Sequence, residues 1–310
     1  MKAVVEEIGK VIERSMLDKW VLKNLWHIPG VAFVPLVGET KRRVRYATYS
    51  EIASKVIITD TGLIDRFKLE NCSDDPLFVR NGTVMVGKTQ TRASVYDIVV
   101  PAGKTKSAAV KCVFASKGIV TGAVMSVAGD VVCCSGVVAS VFDVSNSEMG
   151  RSQVPVWDSV KEWSKGRDDM EGLLKVAPVK VPIPEWPEKV IGYVVVDEGS
   201  GVSVVEFFDS GESFAGYAKS ILETASKTAE TRGGRPSTDM VSGFMKDFLV
   251  EIKRDMKGEL VDSDGDFEVS RGHLMRYSVL STSFGNVVLH VHARRKSAVV
   301  PRGDQQNNGP

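Results

Sequence analysis

Lys88, Gln90 and Arg92 stand two residues apart at the end of the run Gly82–Arg92, GTVMVGKTQTR. On an extended chain such residues project from one face, so two cations and an amide are presented together. That set suits an anionic ligand such as a phosphate or carboxylate, because arginine bonds it bidentately and lysine adds a point charge. Gly87 permits close backbone approach, and Tyr96 and Asp97 are expected to shape the neighbouring surface. The same run spells the phosphate-loop pattern G-x-x-x-x-G-K-[ST], with Gly82, Gly87, Lys88 and Thr89 in register. A phosphate loop needs a strand, a flexible cradle and then a helix whose N-terminus faces the anion. Here the spacer is Thr-Val-Met-Val, and Ala93–Val100 follows, rich in β-formers. The segment therefore predicts a hairpin with Lys88, Gln90 and Arg92 at its tip or edge. Gly87, Lys88, Gln90 and Arg92 are the expected ligand-binding residues. No catalytic residue, metal set or cofactor is identified.

Three other constellations carry weaker chemistry. Asp262, Asp264 and Asp266 open like a calcium loop, but Phe267 and His273 stand where glycine and glutamate are required. An acidic hairpin turn is the expectation. His290 and His292 share one side of a terminal strand, which could serve zinc or iron with a third ligand. Without a ligand cluster beside them, a polar sheet face next to Ala293-Arg-Arg-Lys296 is favoured. Cys112 follows Lys111 in the apolar Val110–Phe114 stretch and reads as a buried structural thiol, while the adjacent Cys133 and Cys134 point to opposite faces.

These residues must be positioned by a chain of 310 residues with a net charge of +1. Its 43% hydrophobic and 25% charged content is that of a globular protein. The charge balance predicts no general nucleic-acid or membrane field, and no apolar run reaches the ~18–20 residues that span a bilayer. Met1–Arg14 alternates charged with apolar residues, unlike a secretory signal. Four cysteines form no CxxC pair, so a reduced, cytoplasmic protein is expected.

Val4, Val5, Ile8, Val11 and Ile12 recur at helical spacing, and a second short helix is expected over Met16–Leu25. From Val31 to Val113 the pattern is mostly strand, at Val31–Val37, Val56–Ile58, Leu63–Leu69, Thr83–Val86, Ser94–Val100 and Ala108–Phe114, with a helical turn at Tyr49–Lys55. Residues 115–150 have no clear period. Helix returns at Val156–Lys165. Ala177–Pro187 holds four prolines and marks an extended connector. Strands at Val190–Val196 and Val202–Phe208, helices at Phe214–Thr228 (capped by Ser210 or Ser213) and Ser237–Met256, and strands at 267–270, 274–281 and 286–292 complete the pattern. The class is α+β, predominantly antiparallel β-sheet with several packed helices. The expected organisation is a β-rich half at 1–165, a Pro-rich connector at 166–189, an α+β half at 190–296 and a disordered tail at 297–310.

In order and content these pieces resemble the ARPP-1 family, the ARG and Rhodanese-Phosphatase-superfamily-associated Protein domain. The resemblance rests on Asn24-Leu25, Tyr49-Ser-Glu-Ile-Ala53, the Asn81–Arg92 segment, Val110-Lys-Cys-Val113, Gln153-Val-Pro-Val-Trp157, Val204-Val-Glu-Phe-Phe208 and Val287-Val-Leu-His290. Thr83 and Phe114 stand where the family pattern has glutamates, and Lys88–Arg92 is spaced differently. The resemblance implies a setting of ADP-ribose or NAD-derived metabolism, and the departures imply a divergent binder. The expected partner is a small anionic ligand of nucleotide or ADP-ribose type, with homo-oligomerisation open. Two alternatives stay open beside it: a structural or assembly protein using a sheet edge and helices 214–256, and a metal-dependent hydrolase built on His290 and His292.

Overall fold

Val5, Ile8 and Ile12 recur at a period of about 3.6 and are all buried on one side of α1 (Lys2–Leu17). Asp18 then accepts the amide of Trp20 at 2.8 Å and starts α2 (Lys19–Lys23). The computed structural model describes residues 2–28, 31–87, 91–113, 121–132, 154–163, 184–197, 203–228, 238–254, 259–264, 267–271, 276–282 and 287–294.

The elements that follow are, in chain order, β1 (Trp26–Ile28), β2 (Val31–Val37), β3 (Ala47–Thr48), α3 (Tyr49–Ile52), β4 (Val56–Asp60), β5 (Arg66–Asn71), β6 (Leu77–Val79), β7 (Thr83–Gly87), β8 (Thr91–Ser94), β9 (Ile98–Val100), β10 (Thr105–Cys112) and β11 (Val124–Val132). After α4 (Val154–Trp163) come β12 (Val190–Asp197), β13 (Ser203–Phe208), α5 (Gly211–Thr228), α6 (Thr238–Arg254), β14 (Glu259–Asp264), β15 (Phe267–Arg271), β16 (Arg276–Thr282) and β17 (Val288–Arg294).

These strands form three bodies. An eight-stranded sheet runs β1-β2-β12-β13-β17-β16-β15-β14, all antiparallel. A closed barrel runs β10-β5-β4-β11-β7-β8, and a small sheet runs β3-β6-β9 with β3 and β6 parallel. Antiparallel sheet dominates the α+β architecture, and helices are the minor part. Strand β2 pairs with β12 from Val31↔Asp197 to Val37↔Val190, so segments from either side of the Pro-rich stretch share one sheet. That pairing closes over more than 150 residues of chain, which no local pattern can reveal.

Side-chain alternation explains how the large sheet is covered. Along β13, Val205 and Phe207 point one way and Glu206 and Phe208 the other, and all four are buried. The Phe208 face meets Phe214 and Tyr217 of α5, at ring separations of 5.9 and 5.3 Å. Helix α1 packs on β2 and β17 and against α6. The barrel has a separate core of Ile58, Phe67, Leu69, Met85, Val110 and Met125.

Most expected elements form within a few residues of their predicted limits. Three differences have local causes. Leu63–Asp65 forms the turn before β5, shaped by Gly62 at φ +79. The Ser94–Val100 run breaks into β8 and β9 around a bend at Tyr96, because Asp97 turns inward to a buried partner. Short strands β1, β3 and β6 carry too few residues to show a period. In the acidic Asp262–Glu268 stretch, β14 and β15 pair as a hairpin with Asp264 opposite Phe267. Cys133, Cys134, residues 166–183 of the connector and the 297–310 tail lie outside the described residues. No helix among the described residues is long and apolar enough to cross a membrane.

Candidate functional site

Among the described residues, three places concentrate polar chemistry. The first lies where the eight-stranded sheet meets the turn between β6 and β7. Glu206, an inward residue of β13, is paired with Tyr193 of β12 on one side and His292 of β17 on the other. Its carboxylate accepts Arg80 Nη2 at 2.8 Å, a close second bond from Arg80 Nε, and the Tyr193 hydroxyl at 2.6 Å. His290 Nε2 stands 3.1 Å from Glu206 Oε1, and its Nδ1 stands 2.8 Å from Asp97 Oδ2. Asp97 Oδ1 accepts the amide of Asn81 at 2.8 Å. Arg80 also donates to the Asn81 carbonyl at 2.7 Å.

All of these groups are buried, and Phe78 and Phe208 close over the His290 ring at 5.8 and 4.5 Å. Burial pushes the Glu206 carboxyl up, but Arg80 and His290 overcome it and hold the group well below the usual carboxylate range. Burial works on the His290 ring as well, where Asp97 and Glu206 outweigh it and raise its pKa. His292 has no comparable partner: burial pushes it down to about 4, and its Nε2 has no hydrogen-bond partner. The polar sheet face expected from the sequence is thus an interior one, with both histidines buried. Both ring nitrogens of His290 are engaged by carboxylates, which leaves no lone pair for a metal. Among the described residues no group of His, Cys, Asp and Glu is arranged to hold one.

The second place is one end of the barrel. Arg92 leaves β8 on the same side as its cross-strand partners Met85 and Cys112. Its guanidinium reaches Asp60 at 3.1 and 3.2 Å and the Arg66 carbonyl. Arg92 and Asp60 are both buried. Burial lowers the Arg92 pKa despite Asp60. The expectation that Arg92 faces solvent beside Lys88 and Gln90 is therefore corrected: a guanidinium entering a barrel finds its counter-charge inside. Gly87 ends β7, half-buried, and Lys88 and Gln90 lie outside the described residues. The antiparallel pairing of β7 with β8 replaces the helix that a phosphate loop would need. Asp97, expected at the surface, is buried against His290.

The third place is a pocket of about 460 Å³ between the 184–190 segment, Thr40-Lys41 and the first turns of α5. Its wall is largely apolar, with Trp186, Val190, Phe214, Ala218 and Leu222, and its charged residues are Lys41, Glu188, Glu212 and Lys219. Trp186 stacks on Phe214 at 6.1 Å and 25°, and its indole Nε1 is buried without a partner.

Several contacts fix this pocket. Lys189 pairs with Asp18 at 2.9 Å and lies over the Trp20 ring. The backbone of Gly38 donates to the Lys189 carbonyl at 2.9 Å. Gly211 lets α5 begin hard against the Glu188 carbonyl, where a Cβ would sit 1.6 Å from the oxygen. Beneath it Asp209, Ser210, Ser213 and Tyr46 are hydrogen-bonded together, and Arg42 Nε reaches Ser213 Oγ at 3.0 Å. Burial raises the Asp209 carboxyl above its ordinary value. The helix start is not an open anion site. Gly211 and Glu212 donate to the carbonyls of Glu39 and Thr40, and Ser213 donates to Ser210 Oγ. Of the two serines expected as caps, Ser210 performs that role.

Sequence reasoning missed Arg80, Glu206 and Trp186. The signal for Glu206 was a lone carboxylate within Val204-Val-Glu-Phe-Phe208, and that for Trp186 was an aromatic residue between Pro184 and Pro187.

The profile of the ARG and Rhodanese-Phosphatase-superfamily-associated Protein domain, ARPP-1, matches residues 19–293. No match was found among curated proteins or among solved structures. The matched span runs from before β1 to the penultimate residue of β17 and takes in the buried Glu206–His290 junction, the barrel and the pocket. The chain belongs to the ARPP-1 family.

Proposed function

We propose that this protein is a binding module for a small anionic ligand of nucleotide or ADP-ribose type, and that the ligand sits in the pocket between Trp186 and α5. The observation that carries the reading is Trp186: a stacked indole in a pocket wall, with a buried N–H that has no partner. Pockets that hold small molecules are typically roughly 300–1,000 Å³, mostly apolar, with a few polar groups. An aromatic base fits against the apolar wall. Lys41 and Lys219 supply cations for phosphate, and Glu188 and Glu212 supply acceptors for sugar hydroxyls, as carboxylates do for ribose. With two charges of each sign, the lining favours a ligand that combines anionic and hydroxyl groups over a bare polyphosphate.

The test is a thermal-shift and calorimetric titration with ADP-ribose, NAD, AMP and ATP. A ligand at 100 times its Kd adds about 2.7 kcal/mol to stability, a visible rise in melting temperature. Binding of ADP-ribose that disappears in Trp186→Ala and weakens in Lys219→Glu supports the pocket. Binding that survives Trp186→Ala but fails in Lys88→Ala returns the ligand to the β7–β8 connection. No response to any of these ligands overturns the reading.

A further inference from the structure

His290 sits where three remote segments meet: its own strand β17, Glu206 on β13, and Asp97 in the link between β8 and β9. A neutral imidazole has one N–H and one lone pair, whereas the imidazolium donates from both nitrogens. A ring whose two nitrogens each face a carboxylate oxygen, at 2.8 and 3.1 Å, is therefore satisfied only as the imidazolium. Charge balance gives the same answer. Arg80 is committed to Glu206 and to the Asn81 carbonyl, and His290 is the cation bonded to Asp97. Protonated, the four groups sum to zero. Deprotonated, they leave Asp97 as a buried carboxylate with no cation bonded to it, a costly state that hydration relieves.

We propose that His290 is a proton-operated latch that ties the β6–β7 turn and the β8–β9 link to the eight-stranded sheet. The path is short. His290 holds Asp97 Oδ2, and Asp97 Oδ1 holds the amide of Asn81, which leads into β7 of the barrel. The ring itself meets Glu206 from β13 and Asp97, and the titratable and charged groups next to these are Tyr193 from β12, Arg80 from the β6–β7 turn, His292 from β17 itself and Tyr217 from α5. None of them replaces the lost positive charge at Asp97. Asp97 and the Asn81 amide then open to water while Glu206 keeps Arg80 and Tyr193.

The direction in pH follows from the ring's raised pKa. A histidine whose folded pKa lies above the ordinary 6.5 contributes stability that is full below 6.5 and is lost as pH rises through the folded value. His292 titrates near 4 and stays neutral throughout that window.

The test uses the full chain and long-range proton–nitrogen spectra of the histidine rings, from about pH 6 to about pH 9. The expected result is both His290 nitrogens predominantly protonated at about pH 6.5, with the ring titrating above that value. As the ring titrates, hydrogen exchange at the Asn81 amide, corrected for base catalysis, should rise about tenfold for each unit by which the folded pKa exceeds 6.5. Asp97→Asn should abolish this pH response, since it leaves no carboxylate to strand. A neutral His290 at about pH 6.5, or a titrating ring with unchanged Asn81 exchange, overturns the latch. The spectra of the unaltered protein decide the matter if the variant does not fold. The pocket reading is independent, because a Trp186→Ala variant should keep the same His290 titration.

Discussion

Arg80 and Arg92 are both buried and both face a carboxylate, yet their pKa values move in opposite directions. Burial penalises each. At Arg80 the Glu206 carboxylate, bonded through Nε and Nη2, overcomes that penalty and raises the pKa. At Arg92 the penalty wins, with Asp60 at 3.1 and 3.2 Å insufficient to reverse it. The difference lies in what surrounds the pair. Glu206 is part of a set that includes Tyr193, His290 and Asp97, whereas Asp60 also serves the turn, accepting the Gly62 amide at 2.8 Å. A buried charge is tolerated in proportion to how completely its neighbours answer it. The sheet junction joins two cations, two carboxylates and a tyrosine in one network, whereas the barrel end centres on the Arg92–Asp60 contact with the Arg66 carbonyl beside it.

That contrast can be broken, beginning with the largest effect. Glu206→Ala strips partners from Arg80, Tyr193 and His290 at once. It should cost about 3–5 kcal/mol or prevent folding, read by denaturant unfolding. Asp60→Ala should cost about 3 kcal/mol or less by the same measurement. Adding a second change separates the two regions further. Arg92→Met with Asp60→Asn removes both charges and keeps an acceptor for Gly62. It should return to within about 1 kcal/mol of the parent, because a buried ion pair is often replaceable by packing. Arg80→Met with Glu206→Gln should not recover, since His290 and Tyr193 remain without their charged partner. Equal recovery in both regions would show that the network is no more than a pair. The smallest change, Tyr193→Phe, removes one hydrogen bond to a charged group and should cost about 1.5–3 kcal/mol.

The pocket offers a further contrast, because its charges stand around an apolar wall at the surface instead of within a buried set. Its shape depends on Gly211 more than on any charge. Gly211→Val has no room beside the Glu188 carbonyl and must push the 184–190 segment away. Ligand uptake should fall while the His290 spectrum stays unchanged.

Much of the fold was legible because it rests on local periodicity. The α1 face of Val5, Ile8 and Ile12, the β2 strand at Val31–Val37, the β12–β13 pair and α5 with its Ser210 cap all follow from short-range patterns. The candidate sites were much less legible. Lys88, Gln90 and Arg92 have the spacing of an exposed face, but spacing cannot say which side of a strand a barrel will enclose. His290 and His292 likewise alternate like a polar surface, yet both are buried, with Phe78, Phe208 and Asp97 closing on His290. Trp186 looks like one residue of a connector until Phe214, 28 positions later in the chain, stacks on it.

The sequence by itself determined most of the longer elements, the antiparallel α+β class and the family. Periodicity, capping and turn residues act over a few positions, and their free energies are written in neighbouring side chains. Only the tertiary structure decided which polar residues are interior and which surround a pocket. Glu206 meets Arg80 across 126 positions, and His290 meets Asp97 across 193. Those encounters are set by closure of the barrel and by the β2–β12 pairing. The cost of burying a charge depends on these distant partners, so it cannot be read from the residue or its immediate neighbours.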